Sequence, residues 1–442
     1  MIDRYSRPEM REIWSEENKL ARWLDIELAA CDAFAEIGLM PADAAARLRE
    51  RASVNVERVQ EIEAITRHDV AAFVQSIEEV VGAEDGRFIH FGLTSSDILD
   101  TAFALQLVQA GNILIEGLDA LATAIRKRAV EHRHTVMVGR SHGIHAEPTT
   151  VGHVLAIWYD EVKRNRRRLV AAIETVSVGK LSGSVGTFTH VPPSVEERVC
   201  AQLGLRPAPA SNQVIQRDRH AEYFCAMALI ASSLEKFAVQ VRHWQRTEVS
   251  EAEEFFHKGQ KGSSSMPHKR NPVLSENVTG LARLVRGYVM PALENVALWH
   301  ERDISHSSVE RVAAPDATVT LDFAIHRLTG LIDKLVFYPD NMMRNLRKTR
   351  GLVFSQRVLM ALIQAGVGRD TAYSLVQRNA MRAWEQELDF PALVREDDDI
   401  RANLSETDIE ECFDLQHNLR HLDAIFARVF EEQGDDRPRE HA

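Results

Sequence analysis

The sequence of 442 residues predicts an all-α fold built around a central bundle of long helices. No proline interrupts residues 42–147, so nothing in that span forbids a continuous helix. Within it, Ile98, Leu105 and Ile125 belong to a series of apolar residues at helical spacing. Signals for strands are sparse, and the clearest is a short one at residues 135–138.

The first long helix is expected to be about 50 Å long, since about 35 residues rise 1.5 Å each. Ser96 or Asp97 is a suitable cap for its start. Four further long helices are expected at residues 149–176, at 217–247, after Pro272 with a kink at Pro291, and from Pro315 towards Val336.

Irregular connections are expected at residues 138–148, 179–193 and 257–272. Ser194 to Glu197 has the spacing of a capping box that opens a short helix. The polar tail from Gln433 to Ala442 is expected to fray.

These elements predict three domains, at residues 1–93, 94–350 and 351–442. The first and third are helical, and the second holds the long-helix bundle and the connection at 257–272. Five long, weakly amphipathic helices carry more apolar surface than one subunit needs to bury. We therefore expect the bundle to associate with copies of itself.

Composition excludes several classes of function. A net charge of −12 argues against general nucleic-acid binding, and the basic run at 163–168 is better explained as a solvated or interface face of a helix. The four cysteines have no short spacing typical of zinc or of a redox pair, so we expect reduced thiols in the cytoplasm. No secretion signal or membrane span is predicted from the sequence.

Four clusters of polar and glycine residues lie near the ends of the predicted long helices. They are Arg67-His68-Asp69 with His90 and the run Gly92-Leu93-Thr94-Ser95-Ser96-Asp97; Gly139 to Pro148; Gly262 to Pro272; and Glu301 to Arg311.

The third cluster, from Gly262 to Pro272, combines a Gly-Ser hinge, two prolines, cations and an amide. Glycine lets backbone N–H groups approach a ligand, and Lys269 and Asn271 offer charge and donors to an oxyanion. A mobile surface loop with solvated charges would account for the same composition.

His142 lies between Ser141 and Gly143, where the glycine permits close approach of a ligand. Most loop histidines are surface residues, but an imidazole can transfer a proton at neutral pH. His142, His145 and Glu147 also raise the possibility of a metal site. The i, i+3 spacing of the histidines differs from the i, i+4 spacing of helical zinc pairs, so we predict no metal.

The fourth cluster could bind an anion, because Arg302, Ser307 and Arg311 carry two guanidinium groups and a hydroxyl. Locally, salt bridges to the neighbouring carboxylates explain these residues more simply. The chain has neither the spacing of a P-loop nor a Rossmann glycine fingerprint after a credible strand.

Taken together, the four clusters resemble the fumarase/aspartase superfamily, whose members eliminate fumarate from substituted succinates. Residues 262–271 match its motif Gly-Ser-Ser-x-Met-Pro-x-Lys-x-Asn throughout, and Ser265 stands where alanine or threonine is common. Arg4-Tyr5, Arg67-His68-Asp69, residues 92–97 and Ser141-His142-Gly143 are most similar to the bacterial adenylosuccinate lyase family. The resemblance covers nearly the whole chain and weakens after about residue 385.

This resemblance implies a homotetramer of three-domain subunits, a helical core shared by the subunits, and active sites built from three of them. It implies no cofactor and no metal. The implied reaction is β-elimination of fumarate from adenylosuccinate, giving AMP, and from SAICAR, giving AICAR.

By the same resemblance, Ser263 is the general base, His142 the general acid, and Lys269 stabilises the aci-carboxylate intermediate. Glu276 is expected to orient His142. The residues expected to contact substrate are Arg67, His68, Asp69, Thr94, Ser95, Gln213, Ser264 and Asn271. The residues expected to hold the nucleotide are Arg4, Tyr5, Arg302, Ser307 and Arg311, with His90 near the phosphate.

Three alternatives stay open at this point. The chain could be another member of the superfamily, such as a carboxymuconate cycloisomerase, an argininosuccinate lyase or a fumarase. It could be a non-catalytic protein on the same scaffold, which the intact His142, Ser263 and Lys269 disfavour. It could also be a metal-dependent hydrolase that uses His142 and His145.

Overall fold

The computed structural model describes residues 1–431, so the predicted tail from Gln433 to Ala442 lies outside the described residues. Helices dominate residues 1–431, and the strands described there form short two-stranded pairs. The all-α prediction is confirmed.

Residues 1–94 begin with a 3₁₀ turn at Asp3–Tyr5 and continue with short and medium helices. These helices are α1 (Pro8–Ile13), α2 (Glu16–Glu36), α3 (Ala42–Arg51), α4 (Val56–Thr66), α5 (Asp69–Val81) and α6 (Ala83–Gly86).

The middle of the chain contains the long helices and all the strands of the described residues. In chain order its elements are α7 (Ser95–Glu131), β1 (Val136–Ser141), β2 (Ile144–Thr150), α8 (Val151–Val176), β3 (Val178–Gly179), α9 (Pro193–Gln202), β4 (Arg206–Pro207), α10 (Asp218–Gln245), β5 (Ala252–Glu253), α11 (Val273–Gly287), α12 (Val289–Glu294), α13 (Ser305–Lys334), β6 (Val336–Phe337) and α14 (Pro339–Arg347). Strands β1 and β2 pair antiparallel, β3 and β4 pair parallel, and β5 and β6 pair antiparallel.

Shorter helices follow a 3₁₀ turn at Leu352–Phe354, as predicted. They are α15 (Ser355–Gln364), α16 (Arg369–Glu385), α17 (Phe390–Glu396), α18 (Asp398–Arg401), α19 (Glu406–Glu411), α20 (Leu415–Leu419) and α21 (Leu422–Phe430).

Two predicted helix starts are wrong by two or three residues. Helix α7 begins at Ser95, so neither Ser96 nor Asp97 precedes it; instead the Asp97 carboxylate accepts a hydrogen bond from the Thr94 N–H at 2.8 Å. Helix α8 begins at Val151, because Thr149 and Thr150 pair within strand β2.

Two further predicted helix starts are wrong because of proline. One prediction treated a proline inside a helix as its start, and the other overlooked a proline that begins a helix. Helix α13 begins at Ser305 and contains Pro315, whose missing N–H removes only one hydrogen bond from a 30-residue helix. Helix α9 begins at Pro193, so Ser194 lies inside the helix and forms no capping box. The kink expected at Pro291 is a break at Tyr288, between α11 and α12.

Helices α7 and α10 are long and apolar enough to cross a membrane by length and composition, which corrects the expectation that no apolar run approaches that length. In each helix 56% of the most apolar window is already buried inside the single chain. Core helices of large bundles pass the same test.

The contacts divide the chain into two compact units, each made from three separated segments. Unit 1 comprises residues 1–120, 164–235 and 277–327, and unit 2 comprises residues 121–163, 236–276 and 328–442. In unit 1, Trp23 and Phe73 pack edge to face in the core, with ring centroids 5.4 Å apart.

In unit 2, the rings of Trp158 and Phe237 stack 4.7 Å apart, and Trp158 also stacks on Trp244. A second cluster in this unit contains the buried side chains of Leu362 and Phe390 in the C-terminal helices. These cores give rigid supports to the loops and helix ends described next.

Candidate active site

His142 lies at the tip of a β-hairpin in unit 2. Strands β1 and β2 pair Ser141 with Ile144, which leaves His142 and Gly143 as the two-residue turn. Both have positive φ, 55° and 80°, as a type I′ turn requires. The irregular connection predicted at 138–148 is therefore wrong, because a β-hairpin carries the imidazole in its turn.

The hairpin is irregular at one position, where the register shifts between Val138 and Arg140. A Cβ on Gly139 would lie 2.8 Å from the carbonyl oxygen of Glu147, so this position requires glycine. Arg140 then donates two hydrogen bonds to Glu251, at 2.7 and 2.9 Å. Glu251 was not predicted as a site residue.

The metal alternative finds no support in this hairpin. His145 lies on β2, and burial together with the nearby Arg140 lowers its pKa. Within residues 1–431, His142, His145 and Glu147 do not form a group able to hold a metal ion.

The loop from Gly262 to Pro272, also in unit 2, folds back on itself. Ser263 Oγ accepts hydrogen bonds from the backbone N–H groups of Ser265 at 3.2 Å and Met266 at 3.1 Å. Two donors aimed at one oxygen stabilise it when it carries negative charge. Ser265, which had no predicted role, contributes one of them through its backbone.

A hydrogen bond joins the two ends of the same loop. The Asn271 side-chain amide donates to the Gly262 carbonyl at 3.0 Å. A Cβ on Gly262 would lie 2.1 Å from the Lys269 carbonyl oxygen, so only glycine permits this closure. Ser264 and Lys269 are exposed within the loop.

Glu276 lies in the first turn of α11, which the buried Glu254 anchors. Glu254 accepts hydrogen bonds from the backbone N–H groups of Leu274 at 3.0 Å and Ser275 at 2.7 Å. The Glu276 side chain is exposed, and the described residues show no hydrogen bond between it and His142. Its predicted orienting role stays a prediction.

In unit 1, the predicted contacts Thr94 and Gln213 meet. The Gln213 side-chain amide donates to Thr94 Oγ1 at 3.4 Å, at the start of α7. Asp97 holds that start in place, because it also pairs with the fully buried Lys180. Ser95 is the first residue of the helix.

Arg217 is a buried residue that joins three predicted substrate segments. It donates to Asp100 on α7 at 2.6 Å and to Glu310 on α13 at 2.9 Å. Its guanidinium also donates to the Ile215 carbonyl at 2.6 Å, two residues beyond Gln213. Burial lowers the pKa of Arg217, but the carboxylates of Asp100 and Glu310 raise it by more, so the net shift is upward.

The anion cluster lies at the start of α13. Arg311 donates to Ser307 Oγ at 3.4 Å and to Asp69 at 2.6 Å. Burial raises the pKa of the Asp69 carboxyl group, but the hydrogen bonds from Arg311 and the Val70 N–H and the nearby positive charge together outweigh it, so the net shift is downward. The local salt bridges expected from the sequence, to Glu301, Asp303 and Glu310, are not found among the described residues, and Arg311 pairs instead with Asp69, 242 positions away.

Arg302, Ser307 and Arg311 line a cavity of about 220 Å³ in unit 1, together with aromatic side chains. The aromatic residues lining it are Trp14, Trp23 and Phe103.

Arg4 and Tyr5 lie in the N-terminal 3₁₀ turn, where the Tyr5 ring packs 5.5 Å from that of Phe323. Arg67 ends helix α4 in a left-handed conformation with φ 58°.

A second cavity of unit 1, of about 740 Å³, is lined by His68, His90, Thr94 and Ser95. His90 contacts Glu27, a buried residue that the sequence did not suggest.

The predicted site residues fall into two groups, one in each compact unit. His142, Ser263, Ser264, Lys269, Asn271 and Glu276 belong to unit 2, and the others belong to unit 1.

The long helices and the Gly262–Pro272 loop define a lyase. The lyase family model matches residues 3–287, and the model for the adenylosuccinate lyase C-terminus matches residues 351–429. The chain belongs to the adenylosuccinate lyase family of the fumarase/aspartase superfamily.

Two curated relatives match almost end to end. Adenylosuccinate lyase of Bacillus subtilis (strain 168) is 51% identical over 97% of this chain and 99% of its own length. Adenylosuccinate lyase of Synechocystis sp. (strain ATCC 27184 / PCC 6803 / Kazusa) is 54% identical over 97% of this chain and 100% of its own length.

Solved structures of similar proteins share the fold. A fumarate lyase from Mesorhizobium sp. BNC1 superposes with a TM-score of 0.88 at 26% identity, over 97% of this chain and 99% of that one. The 3-carboxy-cis,cis-muconate lactonizing enzyme from Pseudomonas putida superposes with a TM-score of 0.86 at 30% identity, over 96% of each chain.

Proposed function

We propose that the chain catalyses β-elimination of fumarate from adenylosuccinate, giving AMP, and from SAICAR, giving AICAR. The observation that carries this proposal is the match to adenylosuccinate lyases at 51% and 54% identity over nearly the whole chain. Both reactions belong to purine nucleotide biosynthesis, and both break a carbon–nitrogen bond.

The proposed base is Ser263, which removes the proton beside a carboxylate of the succinyl group. A serine hydroxyl is a weak base, so its alkoxide must be stabilised. The N–H groups of Ser265 and Met266 already point at Oγ, which supports this role. Lys269 and Asn271 supply charge and a donor for the aci-carboxylate that forms.

The proposed acid is His142, which protonates the departing nitrogen. Its position in a two-residue turn leaves the ring at the end of a braced hairpin, where it can reach a ligand. Arg311, Ser307 and Arg302 supply donors that help to hold the nucleotide, and His90 lies near its phosphate.

The decisive test is an assay of the purified chain with adenylosuccinate. We expect equal amounts of AMP and fumarate, measured by chromatography, and the same stoichiometry of AICAR and fumarate from SAICAR. Formation of neither product pair would overturn the proposal.

Carboxymuconate cycloisomerase activity is the second candidate, because the lactonizing enzyme from Pseudomonas putida has the same fold at 30% identity. The same preparation should be assayed with 3-carboxy-cis,cis-muconate. Turnover of that substrate without turnover of adenylosuccinate would favour this candidate.

We also propose that the active form is a cytoplasmic homotetramer of three-domain subunits, with domains at residues 1–93, 94–350 and 351–442. Apolar side chains exposed on the long helices support association; Ile157, Leu229, Leu284 and Val312 are 48%, 49%, 49% and 57% exposed in the single chain. Light scattering should give a mass near four times 49.8 kDa. A monomer of full activity would exclude composite active sites.

A further inference from the structure

His90 has a strained backbone in the wall of the 740 Å³ cavity. Its φ is 60°, in the left-handed region that residues other than glycine rarely adopt. Such a conformation persists only where the surroundings fix it. The His90 side chain is 22% exposed, so part of the ring faces the cavity.

Glu27 is what fixes His90. This residue lies on α2 and is 1% exposed. One of its carboxylate oxygens accepts the His90 backbone N–H at 2.8 Å, and the other lies 2.7 Å from Nδ1 of the ring. A single buried carboxylate therefore determines both the backbone conformation and the ring orientation of His90.

This contact also determines the tautomer of His90. A carboxylate only accepts hydrogen bonds, so Nδ1 must carry a proton. Neutral His90 then has a lone pair on Nε2, and Nε2 becomes a donor only when the ring is an imidazolium.

His68 lines the same cavity with the opposite arrangement. The Ala71 backbone N–H donates to its Nδ1 at 3.3 Å, so neutral His68 carries its proton on Nε2. In this tautomer His68 can donate from Nε2, whereas His90 becomes a donor at Nε2 by binding a second proton. A pair of this kind suits an oxyanion.

We propose that Glu27 is a positioning residue for phosphate binding, which fixes His90 so that the Nε2–H of its imidazolium donates to the phosphate of the purine nucleotide. This inference rests on the proposed function, which puts His90 near that phosphate.

The charges around His90 favour the imidazolium. Burial lowers the pKa of His90. The hydrogen bond and charge of Glu27 and the charge of Asp97 on α7 raise it by more than burial lowers it, so the net shift is upward. The other titratable side chains that line the cavity are His68, the residue before α5, and Glu78 on α5. Phosphate affinity is therefore retained below the raised pKa and lost as the pH rises through it.

The contact between Glu27 and His90, which we call the anchor, can be tested without any assumption about the substrate. Diethyl pyrocarbonate modifies neutral imidazole, and mass spectrometry of the peptide that contains His90 reports its rate at each pH. In Glu27→Gln we expect the midpoint of this pH profile to move down towards the ordinary histidine value of about 6.5. An unchanged midpoint would overturn the inference, whatever the enzyme's substrate.

Ligand binding tests the link to phosphate. At pH 7.5 we expect Glu27→Gln to weaken AMP binding about tenfold, the loss of one charge-assisted hydrogen bond, and adenosine binding by less than about twofold. Glu17→Gln removes the same charge from an exposed position on the same helix and should change neither. Equal weakening of AMP and adenosine would overturn the role at the phosphate.

Kinetics separates positioning from a general loss of structure. We expect the KM of Glu27→Gln to rise with pH along the shifted His90 profile, while kcat at saturating substrate changes by less than about twofold. A fall in kcat with unchanged KM would contradict the inference. If the wild type bound no AMP but its His90 profile still depended on Glu27, the proposed function would fail and the anchor would stand.

Discussion

Arg140 and Glu251 form a bidentate ion pair, with N···O distances of 2.7 and 2.9 Å, close to the turn of the hairpin that carries His142. The Glu251 side chain is fully buried, and Arg140 is 20% exposed. The Asn345 amide on α14 donates to the same carboxylate at 2.9 Å. The hairpin is thus fixed to α14 through one acid.

Replacing Glu251 should loosen that attachment. We expect Glu251→Gln to lower the free energy of unfolding by about 2–3 kcal/mol, less than for a fully buried pair because Arg140 keeps some contact with water. Chemical denaturation measures the change. Glu248→Gln, an exposed neighbour, should stay within about 0.5 kcal/mol, and equal effects of the two variants would contradict the prediction.

His142→Asn should separate the chemistry of this residue from its place in the turn. Asparagine accepts the left-handed conformation, and Asn-Gly is a favoured type I′ turn, so the hairpin should be at least as stable. Loss of the acid should lower kcat by about 10²–10⁴-fold. Melting temperature and turnover are measured on the same sample; turnover near the wild-type value would remove His142 from the mechanism.

Ser263→Ala removes the proposed base and leaves its two backbone donors unpaired in an exposed loop. We expect kcat to fall by at least about 10²-fold, with stability within about 0.5 kcal/mol. Steady-state kinetics and thermal unfolding check the two expectations. Ser264→Ala keeps both donors occupied by Ser263, and it should raise KM more than it lowers kcat.

Gly262→Ala tests whether loop closure is needed. The added methyl group would lie 2.1 Å from the Lys269 carbonyl oxygen, so the two ends of the loop must separate. We expect kcat to fall by about tenfold or more, because reacting groups displaced by about 1 Å lose most of their advantage. Gly280→Ala, which has open space around it, is the matched control. Full activity in Gly262→Ala would show that the closed loop is dispensable.

Arg217→Met should be severely destabilising, because it leaves Asp100 and Glu310 buried without a counter-charge. We expect a loss of about 3–5 kcal/mol at pH 7, and a smaller one at pH 5, where the stranded carboxylates can bind protons. Adding Asp100→Asn and Glu310→Gln to the same variant should recover part of the loss. No recovery would mean that packing, and not charge, accounts for the effect.

The sequence predicted those parts of the fold and site that depend on local chemistry. The long helices follow from apolar spacing, and the Gly262–Pro272 loop was found from its residue types. The hairpin at His142 was missed because His-Gly is not among the usual turn pairs and Pro148 suggested a break.

Glu27 and Arg217 were missed for a different reason. Glu27 contacts a residue 63 positions away, and Arg217 bridges residues 117 and 93 positions away. No local pattern encodes such pairs. The available signal was a single charged residue inside the apolar run Ile26-Glu27-Leu28-Ala29, which is unusual unless the charge is matched.

The interleaved composition of the two units has a consequence for how the protein is made. Unit 1 takes its last segment from residues 277–327, and unit 2 takes its last from residues 328–442. On the ribosome, therefore, neither unit is complete until at least residue 327 has emerged. We expect nascent chains to stay protease-sensitive for most of their synthesis, and to depend on chaperones more than a chain whose domains follow one another in order.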